Sequence, residues 1–115
     1  MDAYEYSELL KLLNTKLKNI RDILKPDELN QRLEEIKEEE SAQEFWNNVE
    51  NATKSGIEKN RILGKLSKFN KANDSLQGTN ELYEMANDEK DEDTFEMLYE
   101  EAPDLERLIK STEIS

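Results

Sequence analysis

The sequence has no cysteine and no histidine, and it has only three glycines and two prolines. Without cysteine it forms no disulfide and offers no thiolate nucleophile, which fits a reducing compartment. Without histidine, its serines lack the usual general base, and the Glu-x-x-His motif of di-iron helical bundles is excluded. Because glycine and proline are scarce, tight turns are few, and an architecture of many strands is not expected.

Long apolar runs are missing too, and no stretch approaches the roughly 18 apolar residues that span a bilayer. The amino terminus, MDAYEY, is acidic and lacks the basic and apolar regions of a signal peptide. The sequence therefore predicts a cytoplasmic protein that does not contact membranes. Charge is abundant instead: charged residues make up 38% of the chain and hydrophobic residues 35%, which is typical of long amphipathic helices.

The formal net charge is −12, and the charge is unevenly distributed along the chain. Residues 26–51 have two basic and nine acidic side chains, whereas residues 52–76 have six basic and two acidic ones. A net negative protein repels nucleic acid unless its basic residues are segregated onto one surface. Two interpretations remain open: basic and acidic helices neutralise each other, or the basic segment forms a contact surface.

The spacing of apolar residues predicts four helices in one domain, over residues 3–24, 27–40, 42–87 and 92–112. Lys25-Pro26 ends the first helix, because proline disfavours helical geometry in the residue before it. Between Ile62 and Tyr83 a 4,3 spacing predicts a coiled-coil seam. The polar residues 87–93, with Asp91 or Asp93 as a helix cap, predict a reversal of the chain. The fold class is thus all-α, an elongated bundle of three to four helices with a long antiparallel coiled-coil-like hairpin.

Four local features of the sequence each predict a detail of the helices: a capping box, two asparagines in the seam, a proline and three glycines. The segment SAQE, at residues 41–44, matches a capping box that directs Phe45 and Trp46 inward, so Trp46→Ala should unfold the domain or lower its melting temperature. The alternative is that Phe45 and Trp46 form an exposed aromatic contact. Asn73 and Asn80 occupy seam positions and mark either register or the end of a partner helix. Pro103 either kinks or ends the last helix. The three glycines fall within the long third helix and predict bends or close helix contacts.

The carboxylates do not form a recognisable metal or catalytic site. Successive side chains on a helix diverge by about 100°, so residues 38–40 cannot converge on one ion. Counted as a calcium loop from Asp91, the acidic run has Glu96 where glycine is needed and Ala102 where glutamate is needed. There is no glycine-rich phosphate loop either. We therefore expect no catalytic residues, no cofactor, no metal and no small-molecule substrate.

One set of residues is a candidate contact surface. It comprises four basic side chains within about 60° of one another on a 3.6-residue helix, namely Lys54, Arg61, Lys65 and Lys68. We call this set the basic stripe. It either contacts a partner or pairs with acidic neighbours and solvent.

Three segments resemble, in order, the amino-terminal domain of the bacterial release factor 2 family. Members of this family are class I peptide chain release factors that read UGA and UAA. They are NQRLEEIKEEE at residues 30–40, FWN at residues 45–47 with Ala52 downstream, and ELYEMANDEKDEDTF at residues 81–95. The resemblance covers nearly the whole chain. Two departures are Ala42, where the family usually has a proline shortly before the tryptophan, and Pro103.

The resemblance implies a ribosome-contacting accessory domain in translation termination. In the family this domain projects toward the stalk base and GTPase-associated region of the large ribosomal subunit and influences the GTPase release factor. The family's Ser-Pro-Phe and Gly-Gly-Gln motifs are absent from this chain, so decoding and peptidyl-tRNA hydrolysis would belong to the full-length factor. Because a helical pattern still runs at STEIS, we expect an excised domain. The alternative is a stand-alone acidic helical adaptor or chaperone for basic partners.

Overall fold

The computed structural model describes residues 1–113, and within them all regular secondary structure is helical. The elements are α1 (Ala3–Leu24), α2 (Pro26–Glu40), α3 (Gln43–Asn47), α4 (Val49–Glu89) and α5 (Glu92–Glu113). The molecule measures 62 × 25 × 20 Å. A 41-residue helix is about 61 Å long, so α4 alone sets the length. The prediction of an elongated all-α bundle is confirmed.

Helices α1 and α2 lie end to end along α4, and both are antiparallel to it. Asn14 pairs with Asn80, whereas Arg21, further along α1, reaches back to Asn73. On α2, Arg32 pairs with Glu58, which lies still earlier on α4. Helix α5 returns along the second half of α4. The molecule therefore has a three-helix body, formed by α1, α5 and the second half of α4, and a thinner arm, formed by α2 and the first half of α4.

The body and the arm have separate cores of very different size. The body core contains eleven buried residues: Tyr6, Leu10, Leu13, Leu17, Phe69, Ala72, Leu76, Leu98, Ala102, Leu105 and Ile109. The arm core contains three, Ile36, Ile62 and Leu66, with Leu29 and Leu33 packed against them. Hydrophobic stabilisation scales with the apolar area buried, so most of the stability of the fold comes from the body.

Two lysines in the left-handed conformation end helices. Lys25, with φ 53° and ψ 65°, ends α1, and its N–H donates to the carbonyl of Arg21. Pro26 then opens α2, where its missing N–H would have had no helical partner. Lys90, with φ 56°, ends α4 in the same way. The junction at Lys25 allows α1 and α2 to pack one after the other against α4.

The reversal between α4 and α5 is fixed by Asp91. Its Oδ1 accepts from the backbone N–H of Thr94 at 3.2 Å, and its Oδ2 accepts from the Thr94 hydroxyl at 2.7 Å. Of the two candidate caps, Asp91 is the one that satisfies the free amide at the start of α5. The acids that follow, Glu92 and Asp93, lie in the first turn, where the helix dipole favours negative charge.

This cap makes a testable contribution to stability. The hydrogen bonds from the Thr94 side chain and backbone hold the pKa of Asp91 below its ordinary value of 3.8. The stabilisation from the ionised cap is therefore present above pH 3.8 and is lost as the pH falls through the lower pKa of the folded state. We expect Asp91→Asn, which keeps a capping oxygen, to lower the melting temperature at pH 7 by an amount that disappears in strong acid.

Thermal unfolding followed by circular dichroism between pH 2 and pH 7 measures this difference. Asp88→Asn is the matched control, because it removes one negative charge from the same reversal at an exposed residue that makes no hydrogen bond to another side chain within residues 1–113. A melting-temperature difference for Asp91→Asn that stayed constant with pH would contradict the assignment.

The structure corrects the predicted start of the long helix. Ser41 is still in helical geometry at the end of α2, and its hydroxyl donates to the Glu38 carbonyl at 2.6 Å. It therefore cannot serve as a capping box for the next helix, and Ala42 precedes α3 without a side-chain cap. The predicted helix 42–87 is in fact two, divided at Asn48. The side chain of this extended residue accepts from the Asn51 N–H and caps α4.

The glycines and Pro103 do not interrupt their helices. A Cβ built on Gly56, Gly64 or Gly78 meets no atom within 4 Å, which excludes close helix contacts there, and local bends at the glycines stay a prediction. Helix α5 runs through Pro103 and does not end there. Within residues 1–113 no helix has the length and apolarity to cross a bilayer. The final residues of the STEIS segment, 114 and 115, lie outside the described residues.

Candidate interaction surfaces

Ion pairs link the two helices of the arm beside its small apolar core. The Nε and Nη2 atoms of Arg32 each donate to a carboxylate oxygen of Glu58 at 2.9 Å, and its Nη1 donates to Glu35 at 3.2 Å. The hydrogen bonds from Arg32 are the largest cause of the lowered pKa of Glu58, to which Arg61 also contributes. Lys59 pairs with Glu40 at 3.1 Å. Because these side chains are partly exposed, the pairs orient α2 on α4 more than they stabilise it.

The basic stripe runs along α4 from near the arm tip to the junction with the body. Lys54 pairs with Glu50 at 3.3 Å, and both side chains are exposed. Arg61 has no carboxylate of residues 1–113 within 4.0 Å but lies close enough to Glu58 to help lower its pKa. Lys65 and Lys68 also have no carboxylate within 4.0 Å among the described residues, and a contact role for the basic stripe stays a prediction.

The end of the arm is a second candidate surface, which we call the arm tip and define as residues 41–49. It contains α3, a helix of five residues that crosses from α2 to α4. The side chain of Trp46 is 56% exposed there, and Val49 is 74% exposed. The prediction that Trp46 is a core anchor, and with it the expected unfolding of Trp46→Ala, is therefore wrong.

The physical reason lies in the size of the arm core. A five-residue helix beside a core of three buried residues cannot bury both an indole and the neighbouring phenyl ring. Phe45 takes the half-buried position and Trp46 remains outside. The signal in the sequence was the scarcity of apolar residues between Leu33 and Ile62, which leaves little for a large aromatic residue to pack against.

The end of the body that lies away from the arm contains a cluster of aromatic rings. Tyr6, Tyr83, Tyr99 and Phe95 form a group of adjoining rings beneath the acidic reversal. Burial raises the pKa of Tyr6 to about 12, so its hydroxyl stays protonated near neutral pH. These rings pack against one another in the core of the body. Among residues 1–113, no cluster of three or more acidic side chains is placed to hold a metal ion.

The chain is thus an elongated helical domain with a three-helix body, a narrow two-helix arm and an exposed tryptophan at the arm tip. Residues 29–115 match the PCRF domain family, and the chain belongs to that family. The resemblance to peptide chain release factors seen in the sequence is confirmed by this match and by the curated relatives.

Curated relatives can be aligned with this chain over its full length. Peptide chain release factor 2 of Aliarcobacter butzleri is 82% identical over 115 residues, covering 100% of this chain and 32% of the relative. Peptide chain release factor 2 of Campylobacter fetus subsp. fetus is 46% identical over 115 residues, covering 100% of this chain and 31% of the relative. The chain thus spans about a third of the length of the relatives it matches.

Proposed function

We propose that this chain is the ribosome-contacting accessory domain of a peptide chain release factor that reads UGA and UAA. The observation that carries the proposal is its similarity, over its whole length, to about a third of release factor 2 from several bacteria. The shape supports it. An elongated domain of 62 × 25 × 20 Å is suited to reaching a distant surface and making shallow contacts.

On this proposal the arm and body contact the stalk base and the GTPase-associated region of the large ribosomal subunit. The domain also affects the GTPase release factor that acts there. The basic stripe contributes through Arg61, Lys65 and Lys68, which lack a carboxylate partner within the described part of the chain. Their role is to bind phosphates of ribosomal RNA or acidic groups of a ribosomal protein, with an affinity that falls as salt rises.

The chain itself is proposed to have no catalytic role. It contains neither a Ser-Pro-Phe tripeptide nor a Gly-Gly-Gln sequence. Stop-codon reading and peptidyl-tRNA hydrolysis would reside in the remaining two thirds of such a factor. The accessory domain then contributes binding energy that does not change on reaching the transition state, which affects affinity and leaves the chemical step alone.

A chimera tests the proposal. The aligned segment of the Aliarcobacter butzleri factor is deleted or replaced by residues 1–115 of this chain, and peptide release is measured on ribosomes stalled at UGA. We expect deletion to lower kcat/KM by about tenfold or more, with kcat at saturating factor changed far less, as for uniform binding. Replacement by this chain should restore kcat/KM. Equal kcat/KM for the deleted and intact factors would refute the proposal.

The same assay examines the basic stripe. Changing Arg61, Lys65 and Lys68 together to glutamine in the chimera should raise KM and reduce the dependence of binding on salt, because fewer counterions are released. Lys11 and Lys110, which are exposed on the body, provide the control when both are changed to glutamine. An unchanged salt dependence in the triple variant would remove the basic stripe from the interface.

A further inference from the structure

An apolar hollow lies at the section where the body meets the arm, and we call it the junction hollow. It has a volume of about 230 Å³, and four of the side chains that line it are aliphatic: Ile20, Ile23, Leu24 and Leu29. Ile23 is 83% exposed, although it is a large apolar side chain. Single exposed apolar residues are ordinary on protein surfaces, whereas a cluster of them marks a surface that another segment covers.

The last described turn of α5 forms one wall of the junction hollow. Thr112 is buried there, and Glu113 beside it pairs with Lys16 of α1 at 3.7 Å. The end of α5 is thereby fixed against α1. Lys65 of α4, at the start of the arm, lines the same hollow. Because α5 is antiparallel to α4, it points along the arm, and chain that leaves α5 in this direction passes the junction hollow.

The size of the junction hollow favours an occupant that is tethered to it. A separate protein needs about 800 Å² of contact on each partner for a stable interface, and a hollow bounded by four aliphatic side chains offers much less. A segment that is attached nearby has a high effective concentration, so a small contact suffices to hold it. A second copy of this chain is disfavoured further, because each copy has a net charge of −12.

We propose that the segment following Ser115 in a full-length factor packs apolar side chains into the junction hollow and braces the arm against the body. The inference rests on the proposed function, because this chain is then about a third of a longer factor, as it is of the relatives that it matches. It goes beyond that function, since it assigns the exposed aliphatic residues to a contact within the factor itself. This contact adds a second connection at a section that α4 alone crosses among residues 1–113.

Photocrosslinking identifies the occupant. Ile23→p-benzoylphenylalanine is introduced into the chimeric factor, which is irradiated at low concentration without ribosomes and then digested for mass spectrometry. We expect an intramolecular adduct between position 23 and the residues directly after position 115. Leu12, which is 51% exposed and lies about three turns earlier on the same side of α1, is the control position. The same substitution there should give no adduct with that segment.

Hydrogen exchange measures whether the contact stabilises this section. We expect the amides of residues 20–29 to exchange about tenfold or more slowly in the chimera than in this chain alone, and those of residues 3–10, at the other end of α1, to exchange equally in both. Ile23→Asp should abolish the difference, because it places a carboxylate in an apolar contact. In this chain alone the same change should have little effect, since Ile23 is exposed there. Leu12→Asp should leave the difference intact.

The outcomes separate the two proposals. An adduct from position 23 to a different part of the factor, or to a second molecule, overturns the proposed occupant. Equal exchange of residues 20–29 in the chimera and in this chain alone overturns the bracing contact, and normal peptide release by that chimera leaves the proposed function standing. Both measurements are made without ribosomes, so a chimera that gives the expected adduct but fails in peptide release refutes the proposed function alone.

Discussion

Replacing Leu76 by alanine is expected to lower the free energy of unfolding by about 2–5 kcal/mol, the range for truncating a buried leucine. Leu76 is 2% exposed and lies on the second half of α4, within the body core shared with α1 and α5. Alanine removes the apolar atoms and leaves a cavity that three packed helices cannot close fully. For a small domain of about 5–15 kcal/mol in total, this is about a third of the stability.

Urea unfolding monitored by circular dichroism measures the change in free energy. Leu63→Ala is the matched control, since Leu63 lies on the same helix but is 45% exposed, and we expect a loss of no more than about 1 kcal/mol there. Similar losses at the two positions would mean that the body does not have the tightly packed core described above.

Replacing Pro103 by alanine is expected to stabilise the domain by about 2 kcal/mol. Proline costs about 3 kcal/mol in a helix interior, because it has no N–H and its ring crowds the carbonyl four residues earlier. Alanine would restore a hydrogen bond to the carbonyl of Tyr99 within α5. Loss of proline also frees the unfolded chain, which offsets up to about 1 kcal/mol of that gain.

The gain should appear as a melting temperature raised by roughly 8 °C. Glu100→Ala, at an exposed position one turn earlier, controls for the general helix propensity of alanine. A Pro103→Ala variant no more stable than this control would show that the helix around position 103 has already adapted to proline, for example by a bend that relieves the crowding.

The three-helix body follows from the sequence, because its apolar residues repeat at helical spacing over long segments and each stripe is wide enough to define a buried face. The stripe residues from Tyr6 to Leu17 on α1 and from Leu98 to Ile109 on α5 are buried as expected. The seam asparagines were marked correctly as special. Asn80 pairs with Asn14 in the middle of α1, whereas Asn73 accepts from Arg21 in the last turn of α1 and so does lie near the end of its partner helix.

The arm tip could not be predicted in the same way. Its conformation depends on where α2 ends, which the hydroxyl of Ser41 decides by bonding backward to Glu38 instead of forward to Glu44. The segment SAQE allows the Ser41 hydroxyl to bond in either direction. Only the path of the chain in three dimensions determines which bond forms. Burial of Trp46 was inferred from its residue type and from the expected capping box, and a local core of three residues overrides that tendency.

Helix α4 contributes residues to both cores, so a force applied at the arm tip is transmitted to the body through this helix. The two cores meet between Leu66 and Phe69, where the shorter α1 and α2 abut through the single left-handed residue Lys25. Within residues 1–113, α4 is the only helix that continues from the body through the arm. A sideways load applied at the tip is therefore carried mainly as bending of α4 near this section. The stiff body transmits the resulting torque to whatever is attached beyond it.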